Sequence, residues 1–251
     1  MMLVVTMLVG VSASNAWALE LRLVHAVPGA GSARLSADGS STGPVGFAGV
    51  SSPVTAPDGK LTLRLLGSTG NQTLASATKT LGGGSYTVVA TKRGAKVGLL
   101  VFRDQGAKKG TASLRAIHAA PELGNANLTA DSKPVANKLA FEGASPYVTL
   151  EPGTYKLQAM RPSGSGGPLA TKAGVNLEAG TSATAVLAGS GGKPTTIIVA
   201  SDGAVTPAQA PKTGLGGLAG GTPWLAALLA ALAAGAIGGG AYMLAARRHG
   251  G

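Results

Sequence analysis

A segment of nineteen residues occurs twice in this chain, with its copies 93 positions apart, and this duplication limits the possible folds more than any other feature. The first copy opens with Leu-Arg-Leu-Val-His-Ala-Val-Pro at Leu21, and the second opens with Leu-Arg-Ala-Ile-His-Ala-Ala-Pro at Leu114. Ten of the nineteen aligned pairs are identical. A period of this length is too long for a solenoid unit and suits a small domain. The sequence therefore predicts two similar domains in tandem.

Between its two ends the chain has the pattern of β-structure. Apolar and polar residues alternate with period two along residues 60–65 and 155–160, which is typical of half-buried antiparallel strands. Further strand candidates lie at residues 86–90, 97–103, 183–187 and 195–200. We therefore predict an all-β fold of two tandem immunoglobulin-like or transthyretin-like antiparallel β-sandwich domains, with one C-terminal transmembrane helix.

Shifts in composition divide the 251 residues into segments. The predicted segments are a signal peptide (1–18), a first repeat (19–103), a linker (104–111), a second repeat (112–201), a stalk (202–222), a transmembrane helix (223–246) and a cytoplasmic tail (247–251). The stalk is rich in Ala, Pro and Gly, so it has too little apolar surface to form a core.

The N-terminus has the pattern of a secretory signal peptide. An apolar run is followed by Ala16-Trp17-Ala18, which predicts cleavage by signal peptidase before Leu19. No Lys or Arg precedes Arg22, so the usual basic residues of a signal peptide are missing. A buried first strand and a membrane anchor are the alternative interpretations of the apolar run.

The C-terminus has the pattern of a membrane span. The stretch from Trp224 to Ala246 contains no charged residue, and as a helix it is about 34 Å long. Arg247 and Arg248 follow at once and predict a cytoplasmic tail, because basic residues flank spans on the cytoplasmic side. The rest of the chain is then expected outside the membrane.

His25 and His118 occupy equivalent positions in the two repeats. One hypothesis makes each a ligand of a metal or small molecule, and the other makes each a ring that hydrogen-bonds a neighbouring turn. Zinc needs three or four protein ligands, whereas each repeat offers one His without a nearby His-x-His or carboxylate cluster. The turn hypothesis is therefore favoured, and we predict no metal site and no cofactor.

Asp38 and Asp131 are also equivalent. Aspartate is common in β-turns because its carboxylate accepts hydrogen bonds from nearby backbone N–H groups. A calcium site needs several oxygen ligands in one loop, and the chain has only ten acidic residues. A turn role is therefore the better prediction for both.

Catalytic constellations are not evident in the sequence. The chain contains no cysteine, which excludes disulfides, thiolate ligands and cysteine nucleophiles. It also contains no His-Glu-x-x-His motif and no phosphate-binding loop. We therefore predict no catalytic residue and no enzymatic activity.

The formal net charge is +11. Basic residues concentrate near the end of the first repeat, at Lys92, Arg93, Lys96, Arg103, Lys108 and Lys109. For an exported chain the expected anionic partners are wall polymers, acidic glycans or phospholipid head groups rather than nucleic acid. A solvated basic face that only maintains solubility is the alternative interpretation.

The repeated element resembles the opening of the domain-of-unknown-function family numbered 4397. Its pattern is a strand, then His-Ala-x-Pro, then a second strand ending in Ala-Asp, and it begins at Leu21 and again at Leu114. The resemblance covers about residues 20–201 and implies a secreted or surface-attached bacterial β-sandwich, often in tandem. It implies no chemistry, because the family has no established activity.

A second resemblance lies in the stalk. The motif Ala210-Pro211-Lys212-Thr213-Gly214, followed by an apolar span and two arginines, is similar to a sortase cell-wall sorting signal. The resemblance implies cleavage between Thr and Gly by a sortase, although the usual first residue is Leu and here it is Ala. Wall anchoring and a plain membrane anchor both remain open.

These observations together predict a bacterial protein anchored at the cell surface. The leading hypothesis is a non-enzymatic structural or adhesion module displayed outside the membrane. The alternative is an extracellular carrier or sensor of a small ligand or metal that uses His25 and His118.

Overall fold

The computed structural model describes residues 18–164, 166–189 and 196–203. The apolar N-terminal run, the sorting-like motif at residues 210–214 and the predicted span at residues 223–246 lie outside the described residues. Within the described ranges, no helix is both long enough and apolar enough to cross a membrane. Both repeats belong to one compact unit.

The first repeat folds into eight strands. They are β1 (Ala18–His25), β2 (Ala33–Ala37), β3 (Ser40–Ser41), β4 (Val54–Pro57), β5 (Gly59–Gly67), β6 (Thr73–Leu81), β7 (Gly84–Arg93) and β8 (Lys96–Arg103). They form an inner sheet with the order β4-β1-β7-β8 and an outer sheet with the order β3-β2-β5-β6.

The second repeat has the same plan. Its strands are β9 (Ala112–His118), β10 (Ala126–Ala130), β11 (Lys133–Leu139), β12 (Val148–Leu150), β13 (Gly153–Met160), β14 (Ala170–Leu177), β15 (Ser182–Ala188) and β16 (Thr196–Gly203), with a short 3-10 helix at Pro121–Leu123. The inner sheet has the order β12-β9-β15-β16 and the outer sheet has the order β11-β10-β13-β14. The prediction of an all-β chain with two β-sandwich repeats is therefore confirmed.

The prediction that the sheets are purely antiparallel is wrong. Strand β1 pairs with β7 in parallel, and β9 pairs with β15 in parallel. Each inner sheet is therefore mixed. The parallel pairs join the beginning of each repeat to a strand near its end, which a local pattern of alternating residues does not reveal because the partners are more than sixty residues apart.

Each repeat has its own apolar core between its inner and outer sheets. In the first repeat, Leu21 and Leu23 of β1 pack with Leu63 and Leu65 of β5. The alternating burial along β5 places Leu61, Leu63 and Leu65 in this core and Lys60 and Arg64 at the surface. In the second repeat, residues of all eight strands, including Leu157 of β13, form the equivalent core.

A third apolar cluster joins the two inner sheets to each other. It contains Val24 and Val89 from the first repeat and Ile117, Val186 and Ile198 from the second. Every residue of β9 and of β15 is buried, because each strand has one face in its own core and the other against the neighbouring repeat. The two repeats are thus packed together through a common interface.

Candidate functional site: the charged network between the repeats

The face of each inner sheet that meets the other repeat carries one buried arginine. Strand β1 alternates so that Leu21 and Leu23 face the core and Arg22 faces the interface, and Arg115 has the equivalent position on β9. Both arginines are at least nine-tenths buried. A buried guanidinium requires partners that compensate its charge.

The partners are two aspartates, and the ion pairs cross from one repeat to the other. Arg115 donates through Nη2 to Oδ1 of Asp104 at 2.5 Å, and Arg22 donates through Nη2 to Oδ1 of Asp202. Arg22 Nη2 also contacts Oδ2 of Asp104, at 2.9 Å. Two guanidiniums therefore balance two carboxylates inside the interface.

Hydroxyl groups complete the network in the same way on both sides. The Thr87 hydroxyl donates to Asp104 Oδ1 at 2.9 Å and receives a bond from Arg22 Nε at 3.3 Å. Thr184 lies in the equivalent place, receives a bond from Arg115 Nε at 2.9 Å, and contacts Asp202 at 3.2 Å. Together with the ion pairs, these bonds relate the two halves of the network by an approximate twofold symmetry.

Tyr147 breaks that symmetry. Its hydroxyl donates to Asp202 Oδ2 at 2.8 Å, and its ring lies with its centroid 4.8 Å from Cζ of Arg115. Burial raises the pKa of this hydroxyl well above its usual range, and the charge of Asp202 raises the pKa further. The hydroxyl therefore remains a donor at physiological pH. Arg115 also lies over Phe102, with 5.7 Å between Cζ and the ring centroid.

The network fixes how the repeats are arranged more than it adds to their stability. Removing two charged pairs from water costs about as much as their attraction returns, whereas leaving one charge without its partner costs several kcal/mol. Burial raises the pKa of Asp202, with a smaller contribution from Asp104, while Arg22 opposes the shift. In the observed docking of the inner sheets, neither carboxylate is buried without an arginine partner.

The structure places His25 and His118 at the ends of their strands, against neighbouring turns. The Nε2 atom of His25 lies 3.0 Å from the carbonyl oxygen of Gly31, and that of His118 lies 2.7 Å from the carbonyl oxygen of Gly124. Each Nδ1 accepts a backbone N–H bond at 3.2 Å, from Val27 in the first repeat and from the equivalent residue in the second. Both nitrogens of each ring are engaged, so neither offers a free lone pair to a metal. Burial lowers the pKa of both rings.

Asp38 and Asp131 occupy equivalent hairpin turns. Both have positive φ, 40° and 44°, and both accept backbone bonds from the neighbouring strand. The carboxylate of Asp131 accepts from the N–H of Lys156 at 2.8 Å, and that of Asp38 lies 3.3 Å from the N–H of Thr62. Across the described ranges, no group of three or more His, Asp or Glu residues could hold a metal ion.

The basic residues near the end of the first repeat do not form one patch. Arg93 pairs with Lys96 at the tip of the β7–β8 hairpin, whereas Arg103 pairs with Tyr86 at the opposite end of the same two strands. Lys96 and Arg103 are seven positions apart along β8, which corresponds to about 23 Å of extended chain. The charge therefore divides between two ends of the inner sheet.

Sequence analysis missed the network, although one signal for it was present. Arg22 and Arg115 interrupt otherwise apolar strands at equivalent positions. Asp104 and Asp202 stand at the start of the predicted linker and of the predicted stalk; both are buried, and β16 extends to Gly203. A charged residue repeated inside a buried strand is the pattern that indicates such a pair.

Each repeat matches a known family over its whole length. Residues 19–129 and 112–213 both match the family described as Domain of unknown function (DUF4397). The two matches overlap from residue 112 to residue 129, where β9 and β10 open the second repeat. No curated protein matches the chain.

Two solved structures are similar to this chain at low identity. One is a family CBM26 module, CBMbc of Amy13K from Eubacterium rectale, in complex with maltoheptaose; it is 10% identical with a TM-score of 0.23, over 76% of this chain and 98% of that one. The other is a leucine-rich repeat protein from Bacteroides thetaiotaomicron, 13% identical with a TM-score of 0.18, over 73% of this chain and 27% of that one. Similarity at this level carries no functional argument.

Proposed function

The chain belongs to the DUF4397 family, and we propose that it is a non-enzymatic structural or binding module displayed at the bacterial cell surface. Its repeats, which we assign to the immunoglobulin-like or transthyretin-like type of sandwich, act as one stiff body rather than as two jointed domains. The surface location rests on the signal-peptide pattern, the predicted span and the basic tail.

One observation carries the proposal: the inner sheets share a buried apolar cluster and a charge-balanced network. A protein that must hold a surface at a fixed distance or orientation needs such a joint between its repeats. The buried charges within the described residues are used in holding the repeats together, since Asp104 and Asp202 each contact an arginine. Nothing in this use of carboxylates calls for catalysis.

The display part of the proposal is tested by fractionating native cells and measuring the mass of the mature protein. A wall-linked chain that ends at Thr213 supports sortase anchoring, and a membrane-extracted chain that retains Arg247 and Arg248 supports a single-span anchor. Recovery only from the cytoplasm, with residues 1–18 still attached, contradicts surface display.

The binding part is tested with the exterior unit, residues 19–208, in a sedimentation assay with purified cell walls. Binding to anionic wall polymers is expected to weaken as salt rises from 50 to 500 mM, because screening shortens the reach of surface charges. A variant with Lys92, Arg93 and Lys96 changed to Ser is compared with one in which Arg103, Lys108 and Lys109 are changed to Ser. Unchanged sedimentation in both variants excludes an anionic partner and leaves the structural role.

A further inference from the structure

Position 53 of the first repeat corresponds to position 147 of the second. Leu21 of β1 pairs with Val54 of β4, and Leu114 of β9 pairs with Val148 of β12, so the residues just before these valines are equivalent. The second repeat has Tyr147 there and the first has Pro53. The arginine, the threonine and the aspartate are the same on both sides, so the exchange of Tyr147 for Pro53 and the ring of Phe102 over Arg115 are what distinguish the two halves.

A pocket of about 220 Å³ lies on the side where the tyrosine is missing. Its walls include Pro53, Glu20, Ser85 and Asp104, with Arg22 among them. The volume is more than ten times what a single water molecule needs. The proline thus leaves a space open beside Arg22 and Asp104.

Tyr147 shows which chemistry such a space accommodates. In the second repeat its ring covers the guanidinium of Arg115, with 4.8 Å between Cζ and the ring centroid, and its hydroxyl donates to Asp202 at 2.8 Å. Among the described residues, the recorded arginine–ring contacts involve Arg93 and Arg115, and Arg22 has none. No ring of the described residues covers the guanidinium of Arg22, and 11% of its side chain is exposed.

The charge of the lining decides which aromatic ligands fit. Three carboxylates, those of Glu20, Asp104 and Asp202, and one guanidinium line the pocket. Anionic rings are disfavoured by this excess of negative charge, and an ammonium group would lie against Arg22. A neutral phenol meets both requirements, because its ring stacks on a guanidinium and its hydroxyl donates to a carboxylate.

We propose that the pocket beside Arg22 binds a neutral phenolic ring, which repeats there the contacts that Tyr147 makes in the second repeat. The ring stacks on Arg22, and its hydroxyl donates to a carboxylate that lines the pocket. The phenol comes either from a free small molecule or from a tyrosine side chain of another polypeptide. This inference does not depend on where the protein is located or on its binding to cell walls.

The test is a fluorine NMR titration of the full-length protein with 4-fluorophenol, with fluorobenzene as the probe that lacks the hydroxyl. A ligand of this size is expected to bind with a Kd on the order of 1 mM. Loss of a hydrogen bond to a carboxylate is expected to weaken binding by about tenfold or more. N-acetyltyrosinamide, added as a competitor, distinguishes the two sources of the phenol.

Pro53→Tyr places the missing side chain in the pocket and is expected to weaken 4-fluorophenol binding by at least tenfold while raising Tm. Phe47→Tyr is the matched control, because it adds the same side chain at an exposed position away from the pocket. Ser85→Leu fills the pocket from β7 and serves as a second blocking variant if Pro53→Tyr fails to fold. Every variant is prepared identically, so that partition of the probes into any detergent affects all samples equally.

Binding of 4-fluorophenol that is lost in a blocking variant and kept in Phe47→Tyr supports the proposal. Competition by N-acetyltyrosinamide then indicates a tyrosine side chain as the source, and its absence indicates a free phenol. Equal affinity for fluorobenzene, affinity unchanged by both blocking variants, or no binding up to 10 mM overturns it.

Discussion

The two repeats bring the same arginine, threonine and aspartate to their interface but surround them differently. In the second repeat, Arg115 lies between the rings of Phe102 and Tyr147. In the first, Arg22 has no ring partner among the described residues and instead contacts both aspartates. Duplication therefore supplied a symmetric set of charges, and later divergence closed one half of the network with a side chain and left a pocket in the other.

The two arginines therefore do not contribute equally to the free energy of unfolding. Asp104 has two arginines and a threonine as partners, whereas Asp202 has one arginine, a tyrosine and a threonine. Loss of either arginine leaves a different set of compensating groups behind. The four predictions below test the network and its surroundings, beginning with the largest expected effect and ending with the smallest.

The largest effect is expected for Arg22→Met, which removes the arginine partner of Asp202. Leaving a buried charge without its partner lowers the free energy of unfolding by about 3–5 kcal/mol. Arg115→Met is expected to cost less, because Arg22 still contacts both carboxylates. Denaturant unfolding of both variants measures the difference, and an equal or larger loss in Arg115→Met contradicts the asymmetry.

The two histidines, by contrast, are expected to behave alike. Burial lowers their pKa below 6.5 in the folded state, so below pH 6.5 the unfolded chain takes up protons that the folded chain does not. The contribution of the two neutral rings to the free energy of unfolding is complete above pH 6.5. It is lost as pH falls toward the folded pKa, by up to about 1.4 kcal/mol per pH unit for each ring.

Unfolding of wild type, His25→Gln and His118→Gln between pH 7.5 and 5.5 measures this slope. Each single variant is expected to lose half of it. The raised pKa of Asp202 acts with the opposite sign, since a carboxyl of this kind adds stability as pH falls through its folded pKa, but it cancels in the comparison of variants. A slope that disappears in one variant and is unchanged in the other contradicts the equivalence of the two rings.

Tyr147→Phe tests the contribution of the hydroxyl that closes the second half of the network. A hydrogen bond to a carboxylate is worth about 1.5–3 kcal/mol, so a loss in that range is expected. Tyr86→Phe is the matched control, because the Tyr86 hydroxyl donates to a backbone carbonyl, that of Gly82, at 3.0 Å. If the control loses as much stability as Tyr147→Phe, the hydrogen bond to the carboxylate contributes no more than one to a backbone carbonyl.

The smallest effect is expected at the rim of the interface. Arg93 approaches Glu142 at 3.5 Å and lies 4.6 Å from the ring centroid of Phe141, but its side chain is about two-thirds exposed. Exposed ion pairs contribute little, so Arg93→Met is expected to change the free energy of unfolding by less than about 1 kcal/mol. A loss comparable to that of Arg115→Met shows that the rim, rather than the buried network, holds the repeats together.

The fold was largely predictable because the signals for it are local. The alternation of Leu61, Leu63 and Leu65 with polar residues indicates β5, and the duplication transfers the assignment to β13. The exposed edge strands β6 and β14 were missed because they have no regular burial pattern. The parallel pairing of β1 with β7 was also not predicted, because it depends on residues far apart in the chain.

The candidate site was much less predictable, for the same physical reason. Arg22 and Asp202 are separated by 180 positions, and neither residue type indicates its partner. His25 and His118 were conspicuous in the sequence, and the structure places each ring against a turn of its own repeat. Tyr147 has no counterpart in the other copy. The duplication therefore indicated the fold, but it gave no signal for the residue that distinguishes the two halves of the network.

The central claim is that the two repeats form one body, and differential scanning calorimetry of residues 18–208 tests it most directly. A single cooperative unit gives one transition, with a calorimetric enthalpy equal to the van't Hoff enthalpy. Two transitions, or a calorimetric enthalpy about twice the van't Hoff value, would mean that the repeats unfold independently and would contradict the claim.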